Sequence, residues 1–117
     1  MHEMSIVSSL LEMIDGEMKK HGVEKLLVVE VHYGVMAGIV PEALSFAFEA
    51  LTTGTKFEGA VLETKEIPLT LTCSRCGHTF TPAPEERYFA DCPACGSPGG
   101  HKVTGGRELY LQRIEAE

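Results

Sequence analysis

The sequence lacks the features that mark membrane-spanning, secreted and nucleic-acid-binding proteins. No apolar run approaches the roughly 20 residues that a bilayer-spanning helix needs, and the start carries Glu3 instead of the basic segment of a secretion signal. Ten basic residues are scattered among 17 acidic ones, for a net charge of -7. A binding site for a phosphate backbone needs concentrated Lys and Arg. We therefore expect a cytoplasmic protein that binds neither membrane nor nucleic acid.

Patterns of catalytic residues are missing as well. The chain shows no Ser-His-Asp arrangement, no glycine-rich phosphate loop followed by a lysine, and no convincing pair of carboxylates. The prediction is that this chain is not an enzyme. Its acidic surface suits solubility or docking on a basic patch of another protein.

Two helices are predicted from apolar residues at three- and four-residue spacing. The first covers residues 4–21, and Gly22 follows it as a natural C-terminal stop. The second begins near Pro41, which suits a first helical turn, and ends near Gly54. The predicted buried positions are Val7, Leu10, Leu11, Ile14 and Met18 in the first helix, and Leu44, Ala47, Phe48 and Leu51 in the second.

Three β-rich segments complete the main domain. Residues 25–33 alternate, with Leu27, Val29, Val31 and Tyr33 facing a core while Glu30 and His32 face away. Further strands are predicted around residues 59–68 and 107–115. These elements predict an α+β fold in which two helices cover a three-stranded sheet, mixed because a helix connects its first two strands. The main domain comprises residues 1–68 and 105–117, and residues 69–104 form an insert rich in Cys, Pro and Gly.

All four cysteines lie in that insert, as two C-x2-C pairs separated by fifteen residues. The pairs are Cys73 with Cys76 and Cys92 with Cys95, each followed by a glycine. Two residues between thiolates let one tight turn present both sulfurs to a tetrahedral ion, and this spacing is typical of zinc ribbons. Redox iron, as in rubredoxin, and two disulfides are the alternatives. A closed tetrathiolate site would be structural, and it would supply most of the folding free energy of an insert of about 36 residues.

Two histidines, His78 and His101, lie near the cysteine pairs. Each has two interpretations: a loop or hydrogen-bonding residue beside the metal centre, or an auxiliary metal ligand. The second interpretation requires the insert to fold back toward the start of the chain.

The opening Met1-His2-Glu3 is a candidate site for a second metal. An α-amine with a pKa near about 8 is available to a metal in its neutral form, and His2 adds an imidazole. If the intervening amide loses its proton, the three nitrogens lie in one plane, which favours Ni(II) or Cu(II) over Zn(II). Glu3 is a candidate for the fourth position. The alternative is a frayed terminus in which Glu3 only stabilises the start of a helix.

Five segments together resemble the HypA/HybF family of hydrogenase-maturation nickel chaperones. They are "MHEMSIVSSLLEMI", "PEALSFAFEALTTGTKFEGAVLE", "IPLTLTCSRCGHTF", "CPACGS" and "GRELYLQRIEAE", which span nearly the whole chain. The resemblance implies a nickel-binding domain and a zinc domain. It also implies that Ni(2+) is the transported ion, with His2 the essential ligand within Met1, His2 and Glu3, and that structural Zn(2+) is held by the four cysteines.

The resemblance also implies partners and a role. These are a HypB-type GTPase and the large subunit of NiFe-hydrogenase as recipient of the nickel, with urease maturation in some members. The oligomeric state is left open, and a homodimer is one of the options. Two other functions remain as alternatives on the residues alone: a rubredoxin-like iron electron carrier and a zinc-ribbon adaptor protein.

Overall fold

Two α-helices, a short 3-10 helix (Arg87–Phe89) and six strands make up the fold of residues 3–117, which are the residues that the computed structural model describes. The helices are α1 (Glu3–His21) and α2 (Pro41–Thr52). The strands are β1 (Leu26–Gly34), β2 (Val61–Ile67), β3 (Thr70–Thr72), β4 (Thr79–Phe80), β5 (Lys102–Gly105) and β6 (Leu109–Ala116). Within residues 3–117, no helix is both long and apolar enough to cross a bilayer.

The larger sheet has the strand order β2-β1-β6. β1 runs parallel to β2, because α2 lies between them in the chain and provides the crossover. β6 pairs antiparallel with the other edge of β1. The predicted α+β fold, two helices with a mixed three-stranded sheet, is therefore confirmed. We call this part of the molecule, residues 3–69 and 106–117, the helical lobe.

The core of the helical lobe lies between the helices and one face of this sheet. Its fully buried side chains include Val7 and Ile14 of α1, Val29 and Val31 of β1, and Leu44 of α2. These positions follow the 3.6-residue and two-residue periods of the sequence. Burial of these apolar side chains against one another is what fixes the helices on the sheet.

One predicted core position in β1 is wrong. Leu26 is buried, at 2% exposure, whereas Leu27 is only half-buried. The pairing of β1 with β6 shifts register between Leu26 and Val28, so the simple alternation breaks at the start of the strand. A bulge of this kind turns the side chains that precede it toward the opposite face.

The opposite face of the sheet carries a polar network centred on Glu30. His32 Nε2 donates to Glu30 Oε2 at 2.5 Å, and Arg113 Nε donates to Glu30 Oε1 at 2.8 Å. The other ring nitrogen of His32, Nδ1, lies 3.2 Å from the hydroxyl of Tyr110. The hydrogen bond from His32 and then that from Arg113 hold the pKa of the Glu30 carboxyl below its ordinary value.

The three short strands β3, β4 and β5 form a second sheet in the order β4-β3-β5. We call residues 70–105, which contain this sheet and all four cysteines, the cysteine lobe. The molecule measures 54 × 26 × 17 Å, and its Cα radius of gyration is 18.1 Å. A single compact body of this length would have a radius near about 13 Å. The two sheets are therefore parts of an elongated molecule and do not share one core.

The chain enters and leaves the cysteine lobe beside the end of β1. The N–H of Gly34 donates to Glu108 O at 2.7 Å, and the N–H of Met36 donates to Gly106 O at 2.6 Å. Gly34 and Gly106 touch so closely that a Cβ on Gly34 would lie 2.1 Å from the carbonyl carbon of Gly106. Glycine is required at position 34 because the two backbones occupy the space of a side chain.

Candidate metal centre

The first cysteine pair forms a tight turn directly after β3. The N–H of Cys73 donates to His78 O at 2.8 Å, and the N–H of Gly77 donates to Cys73 O at 3.0 Å. Gly77 has φ +78°, a left-handed conformation that a residue with a side chain adopts only with strain. The turn therefore needs the glycine that follows the second cysteine.

The second cysteine pair repeats this hydrogen-bond pattern. The N–H of Cys92 donates to Ser97 O at 2.9 Å, and the N–H of Gly96 donates to Cys92 O at 2.8 Å. Gly96 has φ +75°, close to the value of its counterpart in the first turn. We call the two turns, residues 73–78 and 92–97, the first and second knuckles.

The knuckles bring the four sulfurs into one cluster, in which every Sγ lies within 4.8 Å of the others. Two of these distances cross between the knuckles: 3.7 Å from Cys73 to Cys95, and 3.6 Å from Cys76 to Cys92. Tetrahedral zinc with bonds of about 2.3 Å would separate its sulfurs by about 3.8 Å. The four sulfurs and their spacing therefore fit a metal ion that is bound by four thiolates. Disulfides are not formed, because all four thiols are free and a disulfide bond is only about 2.05 Å long.

The local backbone favours a thiolate at Cys73. The N–H of Cys76 and that of Arg75 each lie 3.4 Å from Cys73 Sγ. The bond from Cys76 is the main cause that lowers the pKa of the Cys73 thiol to about 6, against the opposing effect of burial.

The neighbouring thiol of Cys76 behaves in the opposite way. The N–H of His78 favours its ionised form, but burial and the hydrogen bonds among the clustered thiols raise its pKa to about 12. Thiols this close to one another do not all ionise unless a cation compensates their charge. A divalent ion with four thiolate ligands provides that compensation.

The two histidines near the knuckles occupy different environments. His78 is exposed, and its ring stacks on that of Phe80 with 6.1 Å between centroids. His101 is only 7% exposed, and both of its ring nitrogens have hydrogen-bond partners, the N–H of Ser74 and the carbonyl of Ser97. The structure therefore brings His101 against both knuckles and leaves His78 at the surface.

Of the predicted Met1-His2-Glu3 site, only Glu3 lies in the part of the chain that the structure describes. Met1 and His2 lie outside the described residues. Glu3 is the first residue of α1, and its Oε2 accepts a hydrogen bond of 3.3 Å from the N–H of Val40. Glu3 thus ties the start of α1 to the residue that precedes α2.

Sequence reasoning did not find the position of His101 between the knuckles. The signal that would have found it is the alternation in "HKVTG", which puts His101 and Val103 on the same face of a short strand. Strands of two to four residues are too short for such alternation to stand out.

Comparison with known proteins places the chain in a family. Residues 1–116 match the family model HypA, described as "Hydrogenase/urease nickel incorporation, metallochaperone, hypA". A hydrogenase maturation factor HypA from Solidesulfovibrio magneticus is 50% identical over 117 residues, and one from Lawsonia intracellularis is 48% identical over 118 residues. Both alignments cover the whole of this chain and the whole of the relative.

Solved structures agree with these sequence matches. A solution structure of the Ni metallochaperone HypA from Helicobacter pylori is 28% identical and superimposes with a TM-score of 0.68, covering 99% of this chain and 97% of that one. A second solution structure of a HypA protein, also 28% identical, gives a TM-score of 0.75, with 100% of this chain and 97% of that one covered. With its two knuckles joined to the helical lobe, the chain belongs to the HypA family of metallochaperones for nickel incorporation.

Proposed function

We propose that this protein carries Ni(II) at its Met1-His2-Glu3 segment and delivers it during hydrogenase maturation. The observation that carries the proposal is the match to a nickel-incorporation family over residues 1–116, which includes this segment. The two relatives described above carry the name hydrogenase maturation factor. A carrier role also agrees with the prediction that the chain is not an enzyme.

The chemistry of the segment suits nickel. The amine of Met1, the peptide nitrogen of His2 and its imidazole would form adjoining chelate rings in one plane, and nitrogen ligands in this arrangement favour Ni(II) over Zn(II). Release of nickel follows from the same chemistry, since protonation of the amine and of the peptide nitrogen breaks their bonds to the ion. Glu3 begins α1 and is bonded to the N–H of Val40, so it anchors the helix that follows the ligands. We also retain Glu3 as a candidate for the fourth ligand.

The four cysteines are assigned to a structural zinc ion. Apart from two cysteines, the buried apolar side chains of residues 69–104 are Leu69, Leu71 and Ala90. Two leucines supply about 1.5–3 kcal/mol each, whereas structural zinc supplies about 10–16 kcal/mol in zinc-finger peptides. The ion would therefore dominate the stability of this segment. We propose the corresponding division into a nickel-binding domain, 1–68 and 105–117, and an inserted zinc domain, 69–104.

The proposed partners are a HypB-type GTPase and the large subunit of NiFe-hydrogenase, acting in the cytoplasm. The family description, which names hydrogenase and urease nickel incorporation, supports a recipient of this kind. His78 is proposed as an auxiliary nickel ligand because its imidazole is exposed. His101 would have to give up its hydrogen bonds to Ser74 and Ser97 before it took that role.

The test measures metal content and nickel binding of tag-free protein. Equilibrium dialysis followed by elemental analysis should give one zinc and one nickel per chain. His2→Ala, or a single glycine added before Met1, should abolish nickel binding and leave zinc unchanged. His21→Ala is the matched control, because that histidine is exposed at the far end of α1, where its partner is Glu17 at 3.7 Å.

Two results would contradict the proposal. If His2→Ala binds nickel as well as the parent does, the Met1-His2-Glu3 segment is not the nickel site. Iron in place of zinc, with the colour of an iron tetrathiolate, would favour an electron carrier.

A further inference from the structure

His101 is the buried histidine among the four that the structure describes, and nothing in the nickel chemistry uses its burial. Burying an imidazole is costly unless both ring nitrogens find partners. Both do: Nδ1 accepts a hydrogen bond from the N–H of Ser74 at 3.4 Å, and Nε2 donates to the carbonyl of Ser97 at 3.2 Å. This pattern requires the neutral ring with its proton on Nε2.

The two partners belong to different knuckles. Ser74 directly follows Cys73 in the first knuckle. Ser97 closes the second knuckle, because its carbonyl also accepts the N–H of Cys92. One side chain therefore joins the backbone beside Cys73 to the carbonyl that shapes the turn at Cys92.

Strand pairing and an aromatic ring hold this side chain in place. β3 and β5 pair Leu71 with Val103 and Thr72 with Lys102, so the next position of the same register sets His101 opposite Cys73. The rings of His101 and Phe80 meet in an edge-to-face arrangement, with 5.6 Å between centroids and planes at 80°. The imidazole is thus oriented by the sheet and by Phe80.

We propose that His101 is a positioning residue that braces the two knuckles against each other and slows the loss of the ion held by the four cysteines. This inference rests on the proposed function only in assigning zinc to that cluster. The two bonds of His101 give the knuckles a link that does not run through the ion. Substitution of residues that orient metal ligands typically costs about 10–100-fold in metal affinity.

Three substitutions separate the two hydrogen bonds. His101→Phe keeps an aromatic ring beside Phe80 and removes both bonds. His101→Asn retains an acceptor near the position of Nδ1, so it can bond only to Ser74. His101→Gln retains a donor near the position of Nε2, so it can bond only to Ser97. The matched control is His21→Ala, because that exposed histidine lies at the end of α1, outside the cysteine lobe.

The measurement is the rate at which zinc-loaded full-length protein gives up its ion to excess chromogenic chelator. We expect His101→Phe to release zinc about 10-fold faster or more, and the Asn and Gln variants to fall between it and the parent. His21→Ala should stay within about twofold of the parent, since its side chain pairs with Glu17 of the same helix and lies outside the cysteine lobe. The Co(II)-substituted protein should show the same tetrathiolate absorption in the parent and in His101→Phe.

Several outcomes would overturn the proposal. If His101→Phe releases zinc at the parent's rate, His101 does not brace the knuckles. If that variant does not fold, parent-like release by both the Asn and Gln variants would lead to the same conclusion. A changed Co(II) spectrum would make His101 a ligand. Loss of nickel binding with unchanged zinc release would assign it to nickel transport. If the parent binds no nickel at all, the proposed function fails while the zinc release rates still decide the role of His101.

Discussion

Replacing Gly34 by alanine should strongly destabilise the junction of the two lobes. The added Cβ would lie 2.1 Å from both the carbonyl carbon and the carbonyl oxygen of Gly106, and 2.5 Å from the nitrogen of Arg107. All three atoms belong to the backbone, so no side chain can rotate away. The two segments would have to separate by about 0.9 Å to reach even 3.0 Å.

The expected cost has two sources. Overpacking of this kind typically costs about 1–3 kcal/mol. Separation would also weaken the bonds from the N–H groups of Gly34 and Met36 to Glu108 and Gly106, each worth about 1 kcal/mol. We therefore expect a loss of about 3–5 kcal/mol in the free energy of unfolding, which lowers Tm by at least about 10 °C for a chain of this size.

The assay is thermal and urea unfolding of zinc-loaded protein, with Gly16→Ala as the matched control. Gly16 lies in α1, and no neighbouring atom lies within 4 Å of the place that a Cβ would take, so alanine there should stabilise the helix by about 0.5–1 kcal/mol. The two variants should thus change Tm in opposite directions. A Gly34→Ala protein whose Tm lies within about 3 °C of the parent would refute the reasoning.

Two further predictions concern the ion and the polar network. Removal of zinc by a chelator should abolish amide-exchange protection at Leu71 and Val103 and preserve it at Ile14 and Val29; protected amides in β3 of the metal-free protein would contradict this. Glu30→Gln should lower Tm at pH 7 and have a smaller effect at pH 3. The lowered pKa of Glu30 stabilises the fold above its unfolded-state value near 4.5, and that stabilisation is lost as pH falls through the folded-state pKa. An equal difference in Tm at both pH values would exclude the ionised carboxylate as the cause.

The helical lobe is largely predictable because its elements are long enough to show their periods. Val7, Ile14 and Met18 repeat along α1 at helical spacing, and all three are buried. The error at Leu27 arises from a register shift, which depends on pairing with β6 far along the chain. The contact between His32 and Tyr110 joins residues 78 positions apart, and no local pattern encodes it.

The cluster of four cysteines is predictable for a different reason. Spacing within each pair and the following glycine define a knuckle locally, so the convergence of Cys73, Cys76, Cys92 and Cys95 was expected and is observed. The second sheet was not predicted, since strands of two to four residues carry too little periodicity. The bonds of His101 depend on that sheet and could not be inferred without it.

The small apolar core around Leu69 and Leu71 bears on how long the protein survives in a cell. Without the proposed zinc ion, residues 70–105 would form an unstructured segment, and such exposed segments are preferred sites of proteolytic cleavage. A cut there would leave β6 without a covalent connection to β2, held by its pairing with β1 and by the packing of Leu111 and Ile114 on the core. Degradation of the proposed nickel carrier would then depend on the availability of zinc.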